Sequence, residues 1–195
     1  MEITRPKVFV VSAPSGAGKT TIIHQAIARN PNIFLSVSHT SRVPRKSERE
    51  GLDYYFVSAE VFRQKISRNE FLEWAEVHGN YYGTSLAEIK KLIAEGKVVI
   101  LDIDVQGAQQ VRKKHEIDPV YIFIEPPSLE ELKRRLYERD SETEESLQKR
   151  IENAEREMQF KDEYDYVIMN DQLEKAVVEF SDIINRHAVL SRSES

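Results

Sequence analysis

Two glycines, a lysine and a threonine in Ser12-Ala13-Pro14-Ser15-Gly16-Ala17-Gly18-Lys19-Thr20-Thr21 carry the plainest chemistry in the chain. Gly16 and Gly18 let the backbone curl so that successive N–H groups point inward, a concavity that suits an anion. The loop follows an apolar strand and opens a helix, whose N-terminus adds positive character. Lys19 is placed to reach the β- and γ-phosphates of a bound nucleotide, and the Thr20 hydroxyl to ligate Mg²⁺. The spacing is that of GxxxxGK[ST], except that Ala13 stands at the first glycine position. An ordinary glycine-rich turn is the bland alternative. Position, spacing and the Lys-Thr pair together favour the phosphate loop.

A second constellation is Leu101-Asp102-Ile103-Asp104-Val105-Gln106-Gly107. A buried strand that ends in Asp is where the carboxylate serving a nucleotide-bound metal belongs, so Asp102 joins Thr20 as a candidate metal ligand. An Asp leaving a strand is also a common helix N-cap. One helix start needs one cap, so Asp102 and Asp104 are not both expected to serve that way. A third group is more polar. Arg42 and Arg45 lie three apart around Pro44, and guanidinium forks suit phosphate oxygens. Tyr54, Tyr55, Tyr81 and Tyr82 supply phenol donors, and Glu73 places a carboxylate inside the apolar stretch Phe71 to Ala75. Singly, each has a plain reading as a solvated arginine, a packing tyrosine or an exposed glutamate.

The elements that must position these residues are legible in outline. Val8–Val11, Val98–Ile103 and Val120–Ile124 are short, β-branched and unalternating, which predicts parallel strands covered on both faces, and Tyr166–Met169 is a weaker fourth. Helical patterns run over Thr20–Arg29, Leu86–Glu95 with Gly96 as C-cap, Val105–His115, Ser128–Arg139 and about Leu173–Leu190. Ser128 and Glu131 have the spacing of a capping box after Pro126-Pro127. The alternation predicts an α/β fold, a parallel sheet with helices on both faces. Two stretches break it. Residues from about 33 to 93 carry turn residues and aromatics and read as an inserted subdomain. Residues from about 139 to 156 are mostly charged and polar, with too little apolar content for a core, and read as a short mobile lid.

Composition limits the function. With 195 residues, one main core is expected, divided into a core of about 1–32, 94–138 and 157–195, the insert and the lid. Against 33 Asp and Glu there are 28 Lys and Arg, a net charge of −5, which disfavours non-specific nucleic-acid binding. The absence of Cys excludes disulfides, thiolate catalysis and Cys-ligated zinc. No run approaches the roughly 20 apolar residues of a membrane helix, and the N-terminal apolar run is too short for a signal peptide. A soluble cytoplasmic protein without membrane or nucleic-acid partners is expected, either a monomer or a homodimer.

The blocks SAPSGAGKT, SVSHTSRVPR, GLDYYFV, FLEWAEVHGNYYGT, VILDIDVQGA, FIEPPS, SETEESLQKR and VIMND, in this order from Val8 to about Ile184, resemble the guanylate kinases. Bacterial members of that family often carry the same Ala in the phosphate loop. The resemblance implies a P-loop kinase core with a GMP-binding insert and a lid. It implies ATP and GMP as substrates, Mg²⁺ accompanying ATP, and transfer of the γ-phosphoryl group to give ADP and GDP. Residues Ala13 through Thr21 would bind ATP, with Lys19 catalytic. Arg42, Arg45, Tyr54 and Tyr82 would grip the GMP phosphate, with Arg42 also catalytic. Ser38, Glu73 and Thr84 would read guanine. Asp102 and Asp104 would lie near the reaction centre and the acceptor nucleotide, with metal, arginine-orienting and ribose roles unseparated. Arg139 and Arg150 would close over the ATP phosphates, and Asn170 would sit near adenine.

The chemistry agrees with that implication. Guanine offers N1–H and a 2-amino group side by side, and a carboxylate accepts both, whereas adenine presents a lone pair that a carboxylate repels. A phosphate monoester has its second pKa near ~6, so the acceptor oxygen is already largely ionised and needs no general base. His24, His39, His78, His115 and His187 are accordingly expected at the surface or in packing. Two other functions are weighed. An inactive interaction module of the same fold usually lacks the phosphate loop. A kinase for another phosphorylated acceptor would not need the Glu73–Ser38 pair.

Overall fold

The computed structural model describes residues 8–77, 79–138 and 144–188. A five-stranded sheet forms the centre. It is built from β1 (Val8–Ser12), β2 (Ile33–Leu35), β7 (Val98–Asp102), β8 (Val120–Glu125) and β9 (Tyr166–Met169), in the order β2-β7-β1-β8-β9. Every pairing in it is parallel. The helices are α1 (Lys19–Arg29), α2 (Ala59–Ser67), α3 (Leu86–Ala94), α4 (Val105–Lys114), α5 (Leu129–Tyr137), α6 (Glu144–Met158) and α7 (Leu173–Ala188). No described helix is long and apolar enough to cross a membrane.

The pleat of β1 explains the layers. Successive side chains point to opposite faces. Phe9 and Val11 pack with Ile22, Ile23, Phe180 and Ile184 of α1 and α7. Val8 and Val10 pack with Ile89 and Val111 of α3 and α4. Both faces of β1 are therefore covered, which is why its sequence is apolar without alternation. The register sets Val11 beside Asp102, so the phosphate loop leaves β1 next to the acid that ends β7. Ligands in such sheets bind outside the carboxyl ends of the strands, where the order reverses.

A second sheet, β4-β3-β6-β5, comprises β3 (His39–Thr40), β4 (Tyr55–Phe56), β5 (Phe71–Val77) and β6 (Asn80–Ser85). It is held to α2 by Phe62, whose ring stacks 4.3 Å from Phe71 and 5.3 Å from Tyr81. The boundaries differ from the sequence expectation of 33–93. β2 pairs with β7 in the main sheet, and Ile89 of α3 belongs to the main core. The small sheet with α2 thus lies within 39–85.

The charged segment also differs from expectation. Leu147, Ile151 and Ala154 of α6 are buried against Leu132 and Leu136 of α5, forming a third cluster. Four-residue and three-residue spacing puts these few apolar side chains on one helix face, so a segment poor in them still docks. Smaller expectations divide. Gly96 ends α3 with φ +76 and donates to Ile93, as its C-cap role predicts. Ser128 accepts from the Glu131 N–H at 3.1 Å, but the Glu131 carboxylate turns to Arg134 and Arg135, so only half of the capping box forms.

Candidate active site

The phosphate loop is shaped by Gly16 and Gly18, at φ +90 and +92, a left-handed conformation that a side chain disfavours. Gly18 is the N-cap of α1 and supplies no side-chain acceptor, which leaves the first N–H groups of the helix available to an anion. A Cβ on Gly18 would also stand 2.3 Å from Asn170 Nδ2. That amide donates to Ala17 O at 2.7 Å and ties the loop to the exit of β9. Asn170 is 6% exposed and braces the phosphate loop, a second task beside the adenine contact the resemblance implies. Ala13 lies in the core with negative φ, so the first glycine position here does not demand glycine. Pro14 and Ala17 are buried, whereas Ser15, Thr20 and Thr21 are exposed at the mouth.

Lys19 extends toward the sheet edge. Its Nζ lies 2.5 Å from Asp102 Oδ1 and donates to Ile103 O at 3.4 Å. Asp104 takes the cap of α4, accepting from the Gly107 N–H at 2.7 Å. The two acids the sequence left ambiguous are therefore separated: Asp102 faces the lysine and Asp104 starts the helix. Thr20 and Asp102 together offer a hydroxyl and a carboxylate, the oxygen donors Mg²⁺ prefers. Among the described residues no group of three or more His, Asp or Glu could hold a metal ion by itself, so the donors suit a cation that arrives with phosphates.

The second sheet carries the other half. Glu73 is 7% exposed on β5, and the Thr84 hydroxyl of β6 donates to its Oε1 at 2.6 Å. Burial pushes the Glu73 carboxyl up to about 7, opposed by the Thr84 hydrogen bond, with Asp104 adding a like charge. The Thr84 backbone N–H adds a second hydrogen bond to the carboxylate, and Oε2 lies beside Gly107, where an ideal Cβ would stand 3.1 Å away. Arg42 pairs with Glu48 at 2.6 Å, and its guanidinium lies 5.5 Å from the Tyr54 ring centre, with Tyr82 edge-on to Tyr54 at 6.0 Å. Hydrogen bonding to Glu48, with a further bond to Tyr82, raises the Arg42 pKa above its ordinary value. Ser38 is half-buried beside β3, and Arg45 is exposed.

Arg150 is half-buried on α6, and Arg139 lies outside the described residues, as does His78. His39 is buried, its ring 4.9 Å from Tyr55 and 5.7 Å from Phe71, as a packing role predicts. His187 contacts the Tyr166 hydroxyl at 2.9 Å, away from the phosphate loop.

Two acids escaped sequence reasoning. Glu48 bonds Arg42 through Oε1 and the Arg45 N–H through Oε2, at 2.6 and 2.7 Å, and so shapes the arginine loop. Its three-residue spacing from Arg45 was the available signal. Glu157 of α6 is pushed up to about 7, chiefly by burial and then by Asp104, while Lys19 and the Ser15 N–H pull it down. That places the last turn of α6 near the phosphate loop, and nothing in the charged run singled it out.

Comparison with known proteins bears on this pair of half-sites. The guanylate kinase family model matches residues 5–187. The chain belongs to the guanylate kinase family. Its activity is that of the family, ATP-dependent phosphorylation of GMP. A guanylate kinase of Clostridium perfringens is 47% identical over 180 residues, spanning 92% of this chain and 83% of that one. One from Thermotoga maritima is 47% identical over 171 residues, spanning 88% and 82%. The crystal structure of guanylate kinase from Anaplasma phagocytophilum superposes with a TM-score of 0.72 at 34% identity, covering 95% of this chain and 87% of that one. Similarity across the phosphate loop, both sheets and α6 gives no support to an inactive interaction module.

Proposed function

We propose that the two half-sites divide the guanylate kinase reaction, with the phosphate loop holding ATP and the small sheet holding GMP. The observation that carries the division is Glu73, a buried carboxylate whose Oε1 is held by the Thr84 hydroxyl and whose Oε2 lies beside Gly107 in the first turn of α4. N1–H and the 2-amino group of guanine are donors of the right spacing for that carboxylate, and Ser38 is available to donate to O6. An adenine would present a lone pair there, leaving a buried carboxylate unpaired, and such mismatches cost roughly 10⁴-fold in selectivity.

Arg42, Arg45, Tyr54 and Tyr82 grip the GMP phosphate. Tyr54 is held protonated by burial, which keeps its O–H a donor. Residues Ala13–Thr21 wrap the ATP phosphates with backbone N–H groups, and Lys19 turns from Asp102 to the β- and γ-phosphates as they arrive. Asp102 and Thr20 would hold Mg²⁺, which neutralises phosphate charge when bound with ATP. Asp104, fixed as the α4 cap, faces the acceptor nucleotide. Arg139 and Arg150 close over the phosphates from the lid, and Asn170 supports both the loop and the adenine end.

Catalysis by these residues is positioning and charge neutralisation. The acceptor oxygen attacks the γ-phosphorus in line, the bond to the β-bridging oxygen breaks, and ADP leaves. No side chain must remove a proton, because the GMP phosphate is already ionised. Closure of the small sheet and lid excludes water, which would otherwise take the phosphoryl group. The cytoplasm, where both nucleotides are made and used, is the proposed location.

A coupled assay of ADP release with ATP, Mg²⁺ and GMP, AMP, CMP or UMP tests the reading. Turnover with GMP and at least 10³-fold less with AMP is the expected outcome. Equal use of AMP would remove the role given to Glu73.

A further inference from the structure

We infer that Gln110 of α4 is a specificity-determining positioning residue: its carboxamide holds the β5 edge in the register that aims Glu73 at guanine. The inference rests on the reading of Glu73 given above. β5 is the outer strand of the small sheet, with β6 on one side only. On the open side, Gln110 Oε1 accepts from the Trp74 N–H at 3.1 Å, and Gln110 Nε2 donates to Trp74 O at 2.9 Å. One side chain therefore offers the strand edge the donor and the acceptor that a neighbouring peptide would. The Trp74 N–H belongs to the peptide bond that leaves Glu73, so this clamp fixes the backbone at the guanine reader itself.

The strand needs it. The β5–β6 ladder shifts register between Phe71 and Glu73. At such an irregularity pairing is locally disrupted, and β6 alone does not dictate how the next side chain points. Lys114 Nζ donates to the Phe71 carbonyl on the far side of the irregularity. Gly107, Gln110 and Lys114 are spaced three and four apart, one stripe of α4. Gly107 is where that stripe passes the carboxylate: an ideal Cβ there would lie 3.1 Å from Glu73 Oε2 and 3.4 Å from Asp104 Oδ1. The same helix begins at Asp104, just after Asp102. Its stripe thus references the base-reading carboxylate to the β7–α4 junction at the reaction centre, across two different sheets.

The test compares GMP with IMP, which keeps N1–H but lacks the 2-amino group. The ratio of kcat/KM for the two reports how well Glu73 accepts from that amine. A Gln110→Ala variant is expected to lower the GMP-to-IMP ratio about tenfold, the worth of one hydrogen bond misaligned, with KM for ATP within twofold of the parent. Gln110→Glu, which keeps the acceptor for the Trp74 N–H but not the donor to Trp74 O, is expected to fall between the two, and it serves if the alanine variant does not fold. An unchanged ratio in the folded variants, with kcat lowered equally for both acceptors, overturns the inference and leaves Gln110 a packing residue. Glu73→Gln is the accompanying control. If it collapses the ratio and the Gln110 variants do not, the clamp is wrong while the reader stands. If Glu73→Gln leaves the ratio intact, the reader is wrong and the clamp falls with it.

Discussion

Lys19 and Glu73 do opposite things with charge. Lys19 is a partly exposed cation already beside Asp102, and a pair of that exposure adds little stability. Replacing it with Met should therefore leave the melting temperature within a few degrees. The same change should lower kcat by about 10²–10³-fold, because a preorganised group on developing phosphate charge is lost. A coupled assay beside a thermal melt separates the two, and retained turnover would refute the phosphate-loop role. Glu73 is a buried carboxyl raised to about 7, so near neutrality much of it is protonated before GMP arrives. Guanine donors need the carboxylate. KM for GMP should then rise as pH falls below about 7, and this slope should be shallower in Glu73→Gln. Both enzymes share the titration of the GMP phosphate, so the difference in slope isolates the residue.

Among the elements, α6 shows how few apolar residues suffice. Leu147, Ile151 and Ala154 seat it on Leu132 and Leu136, and Glu157 in its last turn meets the phosphate loop. Ile151→Ala should cost about 2–5 kcal/mol of that docking. Because the cluster is separate from the two sheet cores, the loss should be local. Hydrogen exchange should speed up across α5 and α6 and stay slow in β1, β7 and β8. KM for ATP should rise more than KM for GMP. Faster exchange throughout the sheet would mean that the α5–α6 cluster and the core unfold as one unit. The small sheet is anchored differently, through the Phe62 stack and the hold of α4 on β5.

For the whole molecule, the cost of burying Glu73 appears as pH-dependent stability. Between about 4.5 and 7 the folded chain keeps a proton at Glu73 that the unfolded chain has released. This group's contribution to stability therefore falls as pH rises through that window. At pH 8.5 the deficit amounts to roughly 3 kcal/mol relative to pH 4. Urea unfolding at pH 5 and 8.5 should show Glu73→Gln gaining on the parent at the higher pH. A parallel shift in both proteins would show that the carboxyl is not raised. The role proposed for Glu73 gives a reason for such a cost to be kept: a carboxylate away from bulk water is a selective acceptor for the guanine donors.

The sequence alone determined the parallel strands, their helices, the phosphate loop and the order of the blocks that resemble the family. These are local signals, an unalternating apolar run or a glycine spacing, and they persist in any fold that uses them. It also allowed at most one of Asp102 and Asp104 to be a helix cap, since a single helix start needs a single cap, and left their roles unseparated. Tertiary structure decided which was which, because only the register of β1 against β7 sets Asp102 by Lys19. It moved β2 and α3 into the main body, since the pairing of Ile33 with Val98 closes over the whole small sheet and no local pattern encodes it. It gave α6 a core, by matching a sparse apolar face to one on α5. Glu48, Glu157 and Gln110 became visible only with partners brought from elsewhere in the chain, and a contact between distant residues leaves no mark in the spacing of either.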